Sequence, residues 1–411
     1  MKKTILISLI CLQAFFAHAQ ASKEATDFNT YSIAMDNNRH LASQAKDYAK
    51  AMAVINEWLS SYSKLSPAVK QDFNGFNVNM YYNMACYKAL TGDKSGAITW
   101  LKEAFDAGFS DYQTISTYSD LLSLHDEDTF KTIEQKIREK SDYPFVLKIS
   151  GPYNPAENTS LPVFTYQAAT APELVAFKRQ FNLDSISGNG DEVSKFKNLL
   201  NWVHNTVRHD GSSNNPPSRN GADLITVCKK ENRGVNCRML STILKDAYQA
   251  EGFKARMVTC MPKDTADFDC HVITVVWSDS LNKWVWMDPT FDAFVSDEKG
   301  NLLNIEEVRE RLVNGSPVIL NDNANWNNQQ KETPEAYFNY MSKNLYWLKC
   351  SVKNEWDLET AKDGKPAIEY INLYPGNYNS LHQAKLATSR SVTYATNNPH
   401  YFWQKPFQGV Q

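Results

Sequence analysis

Arg233-Gly234-Val235-Asn236-Cys237-Arg238-Met239-Leu240-Ser241-Thr242-Ile243-Leu244-Lys245-Asp246-Ala247-Tyr248-Gln249-Ala250-Glu251-Gly252 reads as one helix with both ends marked. Leu240, Leu244, Ala247 and Tyr248 form an apolar stripe at helical spacing. Asn236 is a residue type whose side chain caps a helix start, and Gly252 supplies the stop. The stretch therefore predicts a helix beginning near Cys237, with a thiol in its first turn. The amides and dipole of a helix N-terminus favour a thiolate over a thiol, which is what a nucleophile requires.

Downstream, residues 255–260, 271–277 and 283–288 read as strands, and the last two flank Ser278-Asp279-Ser280-Leu281-Asn282. An even-length loop centred between Asp279 and Ser280 would place His271 directly opposite Asp288. Opposed residues have Cβ atoms about 4.5–5.5 Å apart, close enough for a carboxylate to bond an imidazole. A slip of one residue would break that pairing. Residues 305–312 and 333–345 read as helices, and the Asn- and Tyr-rich sequence beyond Leu348 reads as irregular β-structure without a recognisable site. Upstream, Val193, Phe196, Leu199, Leu200, Val203 and Val207 recur at helical spacing up to His209-Asp210-Gly211, and a polar loop with Pro216-Pro217 follows. For His204, His209, Cys228 and Arg238 a structural role is the expectation, with residues 209–220 a candidate border of a cleft.

Before this region, residues 143–170 turn to Pro, Gly, Asn and Thr with short β-type runs at residues 145–147 and 163–165, as expected of a linker. Residues 32–140 read as helical, with Ala51, Val54, Ile55, Trp58 and Leu59 on one face. Tyr82-Asn83-Met84-Ala85-Cys86-Tyr87-Lys88-Ala89-Leu90-Thr91-Gly92-Asp93, followed by Ala97, Leu101 and Ala104, resembles one tetratricopeptide repeat. A solenoid needs three or more such units, so a short helical cap is expected, with a peptide-binding face as the alternative. The chain opens Met1-Lys2-Lys3, an apolar run, then Ala17-His18-Ala19, the pattern of a cleavable export signal. The run is shorter than the ~20 residues a bilayer crossing needs, so a secreted or periplasmic protein without a membrane span is expected. The roughly 390 residues that remain call for two or three domains: a signal at 1–19, a helical domain at 20–142, a linker with short strands at 143–190, a core at 191–320, and a helix and β extension packed on it at 321–411.

Of the 411 residues 42% are hydrophobic, with 20 Tyr, 20 Phe and 10 Trp, and the formal charge of −3 gives no reason to expect nucleic acid or an anionic membrane as partner. Without Cys11, six cysteines are spread too thinly for a disulfide scaffold. Cys260 and Cys270 are the candidate pair, since both flank one loop. No C-x-x-C pair or calcium loop is recognisable, and no metal or cofactor is expected.

The order of elements, a Cys-bearing helix and then a hairpin with His and Asp, resembles the transglutaminase-like superfamily, itself papain-like. The resemblance covers residues 193–294 and rests on Arg233-Gly234-Val235-Asn236-Cys237, Gly252-Phe253-Lys254-Ala255-Arg256-Met257-Val258, Cys270-His271-Val272 and Trp284-Val285-Trp286-Met287-Asp288-Pro289-Thr290. It implies an α+β fold with Cys237 as nucleophile, His271 as general base and later acid, and Asp288 as the group that orients it. It also implies the Cys237 N–H as one oxyanion donor, with the second donor unassigned. Animal crosslinking members carry Gln before and Trp after the nucleophile, where Asn236 and Arg238 stand here. The expectation is therefore an exported cysteine-dependent hydrolase of a peptide, protein or cell-wall amide, acting through an acyl-enzyme. The alternatives are amine transfer to glutamine and a non-catalytic adaptor that uses the helical domain to hold a protein partner.

Overall fold

The computed structural model describes residues 22–157, 160–378 and 385–406. The expected export signal and Cys11 lie outside them. Two compact units divide the chain after Asp142.

In the first unit α1 (Lys23–Gln44), α2 (Tyr48–Ser63), α3 (Pro67–Asp72), α4 (Asn74–Leu90), α5 (Lys94–Asp106), α6 (Tyr112–Thr117) and α7 (Asp128–Ser141) follow one another. Ala51, Ile55 and Trp58 on α2 are fully buried, while Val54 and Leu59 lie at the edge of the same cluster. The stretch that resembles a repeat forms α4, a short turn and α5. Small side chains at Ala85, Ala89, Ala97 and Ala104 are buried between those helices, and the Asp93 carboxylate caps α5 by accepting from the Gly96 N–H at 2.9 Å.

The second unit is an α+β assembly. Its helices are α8 (Tyr143–Ile149), α9 (Pro172–Phe181), α10 (Leu183–Ser187), α11 (Glu192–Thr206), α12 (Gly221–Glu231), α13 (Cys237–Ala250), α14 (Ile305–Asn314), α15 (Pro334–Asn344) and α16 (Pro399–Phe402). Its strands are β1 (Thr165–Tyr166), β2 (Ala255–Met261), β3 (His271–Ser278), β4 (Lys283–Met287), β5 (Val295–Ser296), β6 (Ile319–Leu320), β7 (Asn325–Trp326), β8 (Gln330–Lys331), β9 (Trp347–Ser351), β10 (Lys353–Asn354), β11 (Ile368–Leu373), β12 (Lys385–Ala387) and β13 (Ser391–Thr396). Seven of these form one sheet in the order β12-β13-β11-β9-β2-β3-β4, antiparallel except where β11 meets β13. Strand alternation gives the sheet two apolar faces. Val258, Cys260, Ile273, Val275 and Trp286 enter a core shared with α8, α14, α15 and α16. Ala255, Val276, Val285 and Met287 enter a second core with α9, α11, α12 and α13. Helix α13 is buried from Met239 to Ala250, and Gly252 ends it at φ +92°, a value that favours glycine.

Four expectations change. Phe145, Val146 and Leu147 lie in α8 rather than in an extended run, because Val146 and Leu147 are buried against α14 and α15. The expected linker carries α9 and α10, whose Leu174, Phe177 and Leu183 join the second core. The sequence beyond Leu348 is the middle and edge of the main sheet rather than irregular β-structure. Cys260 and Cys270 are free thiols: Cys260 pairs with His271 and faces the first core, so Cys270 belongs to the opposite face of the sheet.

Candidate active site

The geometry starts from the helix cap. The Asn236 side chain accepts from the Met239 N–H at 3.2 Å, which fixes Cys237 as the first residue of α13. Its N–H belongs to the turn whose amides find no helical carbonyl, so it is available to a ligand.

His271 opens β3, and its Nε2 lies 2.7 Å from Asp288 Oδ2. The other ring nitrogen, Nδ1, is thereby left to face the Cys237 sulfur. The expected register is corrected: Ser278 pairs with Lys283 and Thr274 with Met287, so the loop is centred between Ser280 and Leu281. On that register Asp288 projects opposite Ile273 instead of His271. A shift of two preserves the face, so the side chains still meet diagonally, within reach of long groups. Asp288 Oδ2 also accepts from the Tyr337 hydroxyl at 2.9 Å, and Oδ1 accepts from the Thr290 N–H at 3.0 Å. Both His271 and Asp288 are buried, so the ion pair is shielded from water.

A second histidine joins them. His209, expected to be structural, faces the Cys237 sulfur together with His271 and the Val272 N–H. A parallel bridge to Val235 brings it there, with the Asp210 N–H donating to the Val235 carbonyl at 2.8 Å. Gly234 makes this approach possible, since a Cβ at that position would lie 2.7 Å from the Arg208 carbonyl oxygen. The β7–β8 hairpin then sets the ring. Asn327 accepts from the His209 N–H at 2.7 Å and donates to its carbonyl at 3.0 Å, while the Trp326 indole N–H donates to His209 Nδ1 at 3.2 Å. A nitrogen that accepts carries no proton, so neutral His209 presents an Nε2–H donor. The sequence offered one cue, a histidine two residues beyond a helix stop; the contacts that aim it come from residue 235 and residues 326–327.

Burial opposes ionisation of Cys237, but hydrogen bonds from His209 and His271, the His271 charge and the Val272 N–H outweigh it and lower the thiol to about 6. Burial likewise opposes charge on His271. The Asp288 charge and hydrogen bond, with a contribution from Cys237, outweigh it and raise the imidazole to about 10. Both shifts act in the direction that favours a thiolate–imidazolium pair.

The other residues singled out are structural. His204 is buried, with Nδ1 3.1 Å from the Pro289 carbonyl and Nε2 2.9 Å from Asn325 Oδ1. Cys228 lies in the second core. Arg238 binds Glu359 through both carboxylate oxygens and donates to Thr259 Oγ1 at 2.9 Å. Among the described residues no cluster of three or more His, Cys, Asp or Glu side chains could hold a metal ion, and no helix is long and apolar enough to cross a membrane.

A helix that opens on a thiol, set against an antiparallel sheet that supplies an imidazole and a carboxylate, defines the papain-like class of cores. Residues 179–289 match the model of the Transglutaminase-like superfamily, so this stretch of the chain is similar to a transglutaminase-like core. Among solved structures the chain is similar to a Cytophaga hutchinsonii protein described as a candidate cysteine protease, at 19% identity and a TM-score of 0.24. That match covers 28% of this chain and 37% of the other. No curated protein matches the chain.

Proposed function

We propose that the chain is an exported cysteine-dependent amide hydrolase acting through an acyl-enzyme at Cys237. The observation that carries this reading is the convergence on one site of Cys237 at the start of α13 and of His271, whose ring bonds Asp288 at 2.7 Å and faces the sulfur. The Cys237 thiolate attacks the amide carbon, and the C=O electron pair moves to oxygen. The Cys237 N–H and His209 Nε2–H are the donors for that oxyanion, which gives His209 the role of the second donor. Preorganised donors of this kind are worth about 10²–10³-fold each in turnover. The C–N bond then breaks as His271 Nδ1–H protonates the leaving amine. Water, deprotonated by His271, resolves the thioester, while Asp288 holds the imidazole in its productive orientation. Export rests on the signal pattern at residues 1–19.

The test is iodoacetamide alkylation followed by mass spectrometry of the mature protein, with and without His271→Ala. Alkylation of Cys237 well below the ordinary thiol pKa of about 8.5, slowed in the variant, supports the nucleophile. Screening of peptide and cell-wall amides with and without an added amine then separates hydrolysis from amine transfer. An unreactive Cys237 moves the chain to the adaptor reading.

A further inference from the structure

We propose that a basic patch leading away from Cys237 across β2 and β9, with Lys349 and Arg219 as its cations, is a subsite for a carboxylate-bearing residue of a peptide substrate. This rests on Cys237 as the nucleophile and deepens that reading by naming acidic peptides as the substrate class.

The register supplies the geometry. Val272, whose N–H faces the Cys237 sulfur, pairs with Thr259, which pairs with Lys349. Paired residues share a face, and this face is the one over which Arg238, next to Cys237 in the chain, reaches Thr259. Two strand spacings separate Lys349 from β3, about 10 Å. An extended peptide covers about 3.3–3.6 Å per residue, so an acidic side chain one to three residues from the scissile bond spans the gap. Cys237, Cys270, Lys349 and the neighbouring Trp347 are all partly exposed.

The charge balance supplies the ligand. Arg238, Arg219 and Lys245 all stabilise the Glu359 carboxylate, and Lys349 lies within the field of the same carboxylate and of Arg238. Arg238 engages both Glu359 oxygens. Lys349 is left over the Tyr370 ring at 4.1 Å, with no hydrogen-bond acceptor or ion-pair partner at its ammonium among the described residues. Arg219 Nε is buried and also without a partner. A half-buried ammonium beside another cation is held below its ordinary pKa, by burial first and then by Arg238. A bound carboxylate would relieve both effects through a charge-assisted hydrogen bond.

The experiment uses the mature full-length protein and alanine hexapeptides, N-acetylated and C-amidated, carrying one Glu or one Gln scanned along the peptide. Protection of Cys237 from iodoacetamide at millimolar peptide is measured relative to each variant's own unprotected rate. The expected result is that a Glu peptide protects about tenfold better than its Gln counterpart, that Lys349→Met removes the difference, and that Lys349→Arg keeps part of it. Equal protection by Glu and Gln peptides, protection by neither, or a preference that survives Lys349→Met overturns the subsite. Calorimetric binding of the same peptides does not depend on thiol reactivity. A Glu preference there with an unreactive Cys237 therefore sinks the nucleophile while leaving an acidic-peptide site in place.

Discussion

At the scale of single residues, the site is a contest between burial and charge pairing. Burial alone would keep Cys237 a thiol and His271 neutral; two histidines and one carboxylate reverse both preferences. Alkylation of Cys237 should therefore rise with pH through an apparent value near 6. Amide turnover should fall again as the imidazolium is lost near 10, a bell whose limits belong to the coupled pair. In His271→Ala the thiol returns towards about 8.5, and the thiolate fraction at pH 7 drops about thirtyfold, read directly as the alkylation rate. Asp288→Asn leaves the thiol in place but misorients the imidazole, and should cost about 10²–10⁴-fold in turnover. Tyr337→Phe removes one donor from Asp288 and should cost nearer tenfold. Equal losses in these two variants would show that orientation by the carboxylate is not what matters.

At the scale of elements, three separate pieces aim at one sulfur: the start of α13, the start of β3, and the 208–210 segment held by Val235 and the β7–β8 hairpin. Asn236→Ala should cost about 1 kcal/mol of stability through the lost cap and raise the pH at which Cys237 alkylates. Gly234→Ala acts differently, because its Cβ would lie 2.7 Å from both the Arg208 carbonyl oxygen and the Asp210 Cβ. It should push His209 away and reduce acylation by an activated ester such as p-nitrophenyl acetate by about tenfold or more. Alkylation by iodoacetamide forms no oxyanion and should suffer less. Equal loss of both reactions would remove the oxyanion role of His209 and leave it a partner of the thiolate alone.

At the scale of the whole molecule, each of the two units has its own cores, so damage to one should leave the other standing. Trp58→Ala, at a fully buried position in the first unit, should cost that unit about 3–5 kcal/mol and leave Cys237 alkylation unchanged, read by thermal melting beside mass spectrometry. Local pattern alone was enough for the helix of Cys237, the strand that opens on His271, the strand that ends just before Asp288, and the helical first unit, because caps, stops and apolar periodicity need only neighbours in the chain. It also carried the resemblance to the superfamily whose model matches residues 179–289. Long-range pairing set the hairpin register, the helical state of Val146 and Leu147, the free state of Cys260 and Cys270, the approach of His209 to the Cys237 sulfur and the place of Lys349 two strands from β3. Each of those depends on partners that no local pattern names: Asn327 lies 118 residues beyond His209, and Lys349 reaches the neighbourhood of Cys237 only because β9 pairs with β2.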